Sequence, residues 1–327
     1  MFRSLVFLLL FPVQVTALCQ GQDLRPLLTE DEQVALQQQV AETPYPEGNH
    51  WRATKGDEVI HLVGTMHLTD PRLEGPAARI APIIETAAYL LLEATAAEKK
   101  ELEQRLASDP SILFLEGQTL IELMPKGDWD RLVVALKARG VPSFMAAKMR
   151  PWYVSMLLGM PACMDIQTMT EAGLDATLEQ VATANAVPMA PLEDPTTLFR
   201  AFSSMDMPLQ LAMIRSALMS PESSEDLFET VLLGYFNENH AELQIALELL
   251  TPHLAPMSDI DYQAVFDAMN SRLLDARNRA WIPVILDATE KTDGHIVVAF
   301  GAAHLGGENG VLALLDAQGF TLERLPF

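Results

Sequence analysis

The chain has 327 residues, 49% of them hydrophobic, and sets 22 basic against 44 acidic side chains for a formal charge of −22. That charge repels phosphate backbones and excludes nucleic acid as a partner, while the length and apolar content suffice for one large domain or a domain with a sizeable insertion. Cys19 and Cys163 are the two cysteines, too few for a disulfide framework, and Cys163 in Met160-Pro161-Ala162-Cys163-Met164 reads as a small buried side chain.

The chain opens Met1-Phe2-Arg3 and runs apolar from Leu5 through Phe11 toward Val15. A basic start, a short hydrophobic run and small residues near Ala17 predict a signal peptide over 1–19, cleaved after Ala17 or Cys19, and an exported protein, periplasmic or secreted. Leu18 is a poor fit before a lipoprotein cysteine, which argues against a lipid anchor at Cys19. The run is too short to span a bilayer, and no other stretch suits a transmembrane helix. Residues 20–45 are Gln-rich with helical spacing (Leu28, Val34, Leu36, Val40) and break at Pro44 and Pro46, giving a leading helix and linker. Trp51 to Thr54, a Lys55-Gly56-Asp57 turn and Glu58 to Val63 form a hairpin. Asp70-Pro71 starts a helix. It leads into Tyr89-Leu90-Leu91-Leu92, a strand closing on Glu93, and this β-α-β unit predicts a parallel strand pair.

Residues 98–180 and 195–290 show helical periodicity, with breaks at Pro110, Pro125, Gly140 to Pro142, Pro151 and Gly159 to Pro161. Between them Ala186 to Glu193 is strand-like and again ends on a glutamate. Caps are expected near Ser223 and Asp259, and one long helix from Asp261 to about Asp287. A strand from His295 to Phe300, a Gly-rich loop, a helix from Asn309 to Gln318 stopped by Gly319, and a strand from Phe320 to Leu325 complete the chain. The expected class is α/β. A central mixed, mainly parallel sheet is built from both ends of the chain (46–97, 186–193 and 294–327), with a large helical insertion, all within one domain over 46–327.

Two strings share one form: Gly64-Thr65-Met66-His67 and Gly301-Ala302-Ala303-His304. Each follows an apolar strand, so each histidine sits just past a strand's C-terminal end, the edge where open α/β sheets bind ligands. Two imidazoles on one rim point to a divalent metal site or an acid/base pair. Glu93 adds a carboxylate to the same rim, and Glu193 offers a second. His61 and His295 read as structural, and His50, His240 and His253 have no supporting pattern. Arg277 and Asn278, on the long helix, would by themselves face solvent. No Gly-x-Ser-x-Gly elbow and no His-Glu-x-x-His helix occurs, which leaves water as the nucleophile. The glycines of 301–310 lack the spacing of a phosphate loop.

These strings, with Trp51, Leu91-Leu92-Glu93, Gly173-Leu174-Asp175, Leu192-Glu193, Arg277-Asn278-Arg279-Ala280-Trp281 and Phe300 to Val311, resemble the TraB/GumN-like family. That family includes the TIKI proteases and is related to erythromycin esterase-like and ChaN-like proteins. The landmarks run in the family's order from about residue 45 to the end, with the helical middle matched weakly. The resemblance implies a metal-dependent peptidase supported by a divalent ion such as Mn, Co or Zn. His67, Glu93 and His304 would bind the metal, and Arg277 would hold a substrate carboxylate or oxyanion. Asn278, Glu193, Gly64 and Gly301 are accessory. The expected substrate is a peptide or small molecule. Some relatives are tied to pheromone shutdown or haem binding, so the alternative is a non-catalytic protein that sequesters a peptide or haem, with the same histidines ligating iron.

Overall fold

A computed structural model describes residues 19–164, 173–255 and 259–327, so the expected signal peptide lies outside the described residues except for Cys19. Six strands form one sheet: β1 (His50–Lys55), β2 (Glu58–Thr65), β3 (Tyr89–Leu92), β4 (Met189–Pro191), β5 (His295–Gly301) and β6 (Thr321–Arg324). Their order is β4-β3-β5-β2-β1-β6. The pairs β4/β3, β3/β5 and β5/β2 are parallel, whereas β2/β1 and β1/β6 are antiparallel. This is the mixed, mainly parallel sheet with many helices that the sequence predicts.

The hairpin forms as expected, with Lys55 paired to Glu58 and Gly56 at φ +60° making the turn. One pairing differs. β2 and β3 flank the first crossover helix but are not neighbours, because β5 lies between them. The reason is burial. Ile296 to Phe300 are all fully buried, and a strand without a polar face gains most from the centre of the sheet, where both edges and both faces are covered.

Several helix ends also shift. Asp70 caps a 3-10 turn over Pro71–Leu73 that continues into the helix Glu74–Glu85. Ser220, rather than Ser223, accepts from the Ser223 backbone N–H and caps the helix Pro221–Phe236. Asp259 begins its helix beside residues 256–258, so the cap expected there falls next to the undescribed stretch. The long helix is three pieces: Asp259–Met269, a π-helical turn over Asn270–Asp275, and Ala276–Glu290. π-turns re-aim side chains and concentrate at functional sites. The C-terminal helix is shorter than expected, Val311–Asp316, with Gly319 at φ +88° beyond it.

The main core lies on the sheet, where Trp281 and Phe300 pack at ring centroids 5.6 Å apart. The helical insertion has its own core around Trp152, Phe202 and Met213, next to a cluster holding Leu120, Leu132 and Ile214. Leu24, Leu28 and Leu36, near the leading helix Glu30–Glu42, pack on Ala246 and Leu250 of the helix His240–Leu254. Among the described residues no helix is long and apolar enough to cross a membrane.

Cys19 and Cys163 form a disulfide across 144 residues. This overturns the expectation that the cysteines do no covalent work: Cys163 is half-buried and bonded, not a buried spectator. The error has a physical cause, since two cysteines so far apart reveal no pairing until the fold brings their Cα atoms to 5.5 Å. Closing so long a loop restricts the unfolded chain, so replacing both cysteines by serine should cost ~2–5 kcal/mol, read from chemical denaturation with and without reductant. Equal denaturation midpoints in oxidised and reduced protein would refute this.

His50, His61 and His295 line up across β1, β2 and β5. His50 Nε2 meets His61 Nδ1 at 3.1 Å, and the His61 and His295 rings lie 5.4 Å apart. Burial, helped by the charges of His50, His295 and Arg52, pushes His61 down to about 4. An unfolded histidine takes up its proton near pH 6.5, while the folded His61 refuses it until about pH 4. Its contribution is therefore complete above pH 6.5 and is lost as the pH falls through that window, on the order of 2 kcal/mol. Urea denaturation at pH 7 and pH 4.5 should show a larger loss for the native protein than for His61→Gln. Identical losses would mean that the ladder contributes nothing.

Candidate functional site

Because β2, β3, β4 and β5 run parallel, their C-terminal ends share one edge of the sheet. His67 follows the end of β2 at Thr65, Glu93 follows β3 at Leu92, and Glu193 lies just beyond β4 at Pro191. β5 ends at Gly301 and passes into a 3-10 turn over Ala302–His304. From the helical side, the π-turn hands over to the helix that begins at Ala276, and that turn presents Arg277 and Asn278, both buried. Of the candidate site residues, His67, Glu93, Glu193, Arg277, Asn278, Gly301 and His304 converge here. A Cβ placed on Gly301 would lie 3.3 Å from Glu93 Oε1, 3.7 Å from His67 Nε2 and 3.8 Å from His304 Cδ2. Gly64 has a separate use: a Cβ there would meet Leu305 Cδ1 at 2.6 Å, so its absence lets the turn that carries His304 close against β2.

Arg277 is the hub. Its Nη2 donates to Glu93 Oε2 and to Glu193 Oε1, each at 2.6 Å, and its Nε donates to Glu193 at 3.0 Å. Nη1 donates to the Leu273 carbonyl at 3.0 Å and to His304 Nε2 at 3.2 Å. A guanidinium has five N–H donors, and all five are engaged. No donor is spare for a substrate carboxylate or an oxyanion; Arg277 holds the centre in shape. Trp281 supports it, with its indole N–H on Glu193 Oε2 at 3.0 Å and its ring under the guanidinium at 4.8 Å.

His304 is fixed on both nitrogens. Asn278 uses its amide N–H on the Asn309 carbonyl, so its Oδ1 faces His304 Nδ1 at 2.5 Å and accepts that proton. Nε2 then carries the lone pair that receives Arg277. Burial dominates the titration of His304: Glu93 draws it upward, Arg277 and His67 push it down, and it settles at about 4, neutral at pH 7.

His67 is the open group, with 58% of its side chain exposed. Its Nδ1–H donates to Asp175 Oδ1 at 3.0 Å, which leaves Nε2 free, 3.8 Å from Glu93 Oε1. The surrounding protein disfavours charge on the imidazole, but the Asp175 hydrogen bond and the Glu93 charge outweigh that and raise it. Burial would likewise raise Asp175, yet His67 and Lys99 bring it to about 2, with Lys99 Nζ 3.1 Å away. Glu93 is also held well below the usual carboxylate range. Burial opposes this, and the His304 and His67 imidazoles, Arg277 and the Gly301 N–H overcome it.

Asp175, not among the candidates that the sequence offers, joins the cluster through His67. Its signal was present in Gly173-Leu174-Asp175, a glycine at the start of the helix Leu174–Ala184, but a lone acid in the first turn of a helix usually serves the helix dipole. Gly173 has a packing role, since a Cβ there would strike the Met66 carbonyl at 2.5 Å and the His67 backbone at 2.6 Å. The helix N-terminus can press against the β2 loop only without a side chain, and that contact brings Asp175 to His67.

His67, Glu93, Asp175, Lys99, Leu68 and Leu102 help to line a cleft of about 570 Å³. His67 Nε2 and Glu93 Oε1 stand 3.8 Å apart on this cleft, a span that two bonds of about 2.0–2.2 Å to one cation can bridge. His304 does not join them, because its Nε2 receives Arg277. Among the described residues no three His, Cys, Asp or Glu side chains are set to hold a metal. The donors present fit a two-ligand site at His67 and Glu93, not the three-ligand set that the resemblance implied.

A sequence model of the TraB/PrgY/gumN family matches residues 49–324, most of the chain. No curated protein matches it.

Proposed function

The chain belongs to the TraB/PrgY/gumN family, and we propose that its clustered histidines and carboxylates form the centre of a hydrolase, a peptidase that activates water. One observation carries this reading: an open imidazole, oriented by the half-buried Asp175 carboxylate, faces a second carboxylate inside a cleft. His67 Nε2 takes a proton from the water that attacks a peptide carbonyl, and Asp175 stabilises the imidazolium. As the C–N bond breaks, that proton passes to the leaving amine. Glu93, kept ionised and fixed by Arg277 and the Gly301 N–H, orients the water.

A divalent ion, Mn, Co or Zn, would be held by His67 and Glu93 and would supply a bound water of lowered pKa. In that case the His67 lone pair serves as a ligand and not as a base. Export belongs to the same reading. Disulfides persist in oxidising compartments, a cysteine in a disulfide is closed to lipidation, and cleavage after Ala17 would keep Cys19 on the chain. Haem sequestration has less support, since His304 Nε2 is already committed.

The test is digestion of a peptide library by the full chain, with added Mn²⁺, Co²⁺ or Zn²⁺ and with chelator, beside His67→Ala. Cleavage that disappears with chelator and in the variant makes His67 a metal ligand. Cleavage indifferent to chelator but lost in the variant makes it the base. No cleavage under any condition would overturn the hydrolase.

A further inference from the structure

A second cavity, of about 610 Å³, adjoins the cleft. Leu102 lines both, and Arg105, one turn further along the helix Ala96–Ser108, lines only the second. Arg150 and Arg200 join Arg105 there, so three of the chain's 22 basic residues meet in one cavity of a protein with charge −22. Among the lining residues the only carboxylate is Asp109, and its Oδ1 accepts from the Ser111 N–H and hydroxyl.

The arginines are weakly engaged. Arg105 and Arg200 each reach one carboxylate at 3.4 Å, Glu101 and Asp194, on exposed pairs that hold little energy. Arg150 spends Nε on the Ser111 carbonyl, and its terminal nitrogens pair with no carboxylate among the described residues. Trp152 also lines the cavity, is fully buried, and its indole N–H has no partner. Three cations with spare donors around one cavity form a receptor for an anion with several acceptor oxygens.

We propose that this cavity binds a carboxylate of the substrate while the scissile bond lies at His67 and Glu93, an inference that rests on the peptidase reading. Lys99 beside the centre and Arg105 are six residues apart on one helix, about 9 Å along its axis. An extended peptide covers that length in about three residues. The substrate is therefore a peptide with a carboxylate, from an acidic side chain or the C-terminus, about three residues from the bond that breaks.

Binding tests this without turnover. The full-length His67→Ala protein is titrated calorimetrically with three hexa-alanine probes: one with a free C-terminus, one amidated with a glutamate at the last position, and one amidated and neutral. Either anionic probe should bind at least tenfold tighter than the neutral one, and the stronger of the two identifies the source of the carboxylate. Arg150→Gln should abolish that preference. Arg200→Gln, an exposed change that leaves the core untouched, should weaken it severalfold while thermal melting stays the same. Equal binding of all three probes, no binding of any at millimolar concentration, or a preference indifferent to both variants would overturn the pocket. Discrimination by the pocket alongside failure of every digest would overturn the hydrolase and leave the pocket standing.

Discussion

Replacing Arg277 with methionine should cost ~3–5 kcal/mol of folding stability, the largest single-site effect expected in this chain. The guanidinium lies between two carboxylates, Glu93 and Glu193, with only 9% of its side chain exposed. Methionine fills much of the volume and leaves both charges uncompensated. Arg277→Lys should recover little, because an ammonium has three donors where five acceptor contacts stand, and its point charge does not fit two carboxylates, an imidazole and a carbonyl at once. Urea denaturation followed by far-UV circular dichroism measures both variants. A loss below about 1 kcal/mol for Arg277→Met would mean that the carboxylates find other partners or protonate, and the hub role would fall.

His67→Ala should act in the opposite manner, with a large effect on rate and almost none on stability. The side chain is mostly exposed, so its removal should change stability by no more than about 0.5 kcal/mol. Peptide hydrolysis should fall by about 10³-fold or more whether His67 is base or ligand. Asp175→Asn should follow it, dropping the rate ~10²–10⁴-fold, because an amide can present N–H to Nδ1 and trap the tautomer whose Nε2 is protonated. Initial rates on the best library peptide decide the matter. Retention of more than about a tenth of native activity by His67→Ala would remove this residue from the chemistry.

The rim could be read from the sequence because strand ends are local. An apolar run, a glycine and a histidine identify where His67 and His304 stand, and parallel strands put Glu93 and Glu193 beside them. What could not be read is long-range. The Cys19–Cys163 pairing depends on folding 144 residues between them. The saturation of Arg277 depends on four acceptor residues from four parts of the chain, and a sequence that supplies an arginine says nothing of how many donors remain free. His304 reads as a ligand in the sequence for the same reason: its neighbour in space, Arg277, lies 27 residues away and arrives through a π-turn that periodicity reads as continuous helix. Asp175 was visible but had an ordinary explanation, which only its distance to His67 overturns.

The position of β5 has a consequence for biosynthesis. β3 ends at Leu92 and β5 begins at His295, so the two inner strands wait for a third encoded about 200 residues later. At ~5–20 residues per second a ribosome needs ~10–40 s to cover that distance. Throughout that interval the facing edges of β2 and β3 have no partner from their own chain, and such edges invite pairing with other polypeptides. The nascent chain must therefore be shielded, or kept unfolded, until its last tenth is made. A product cut short before His295 lacks the centre of its sheet and should aggregate, not form a smaller working domain.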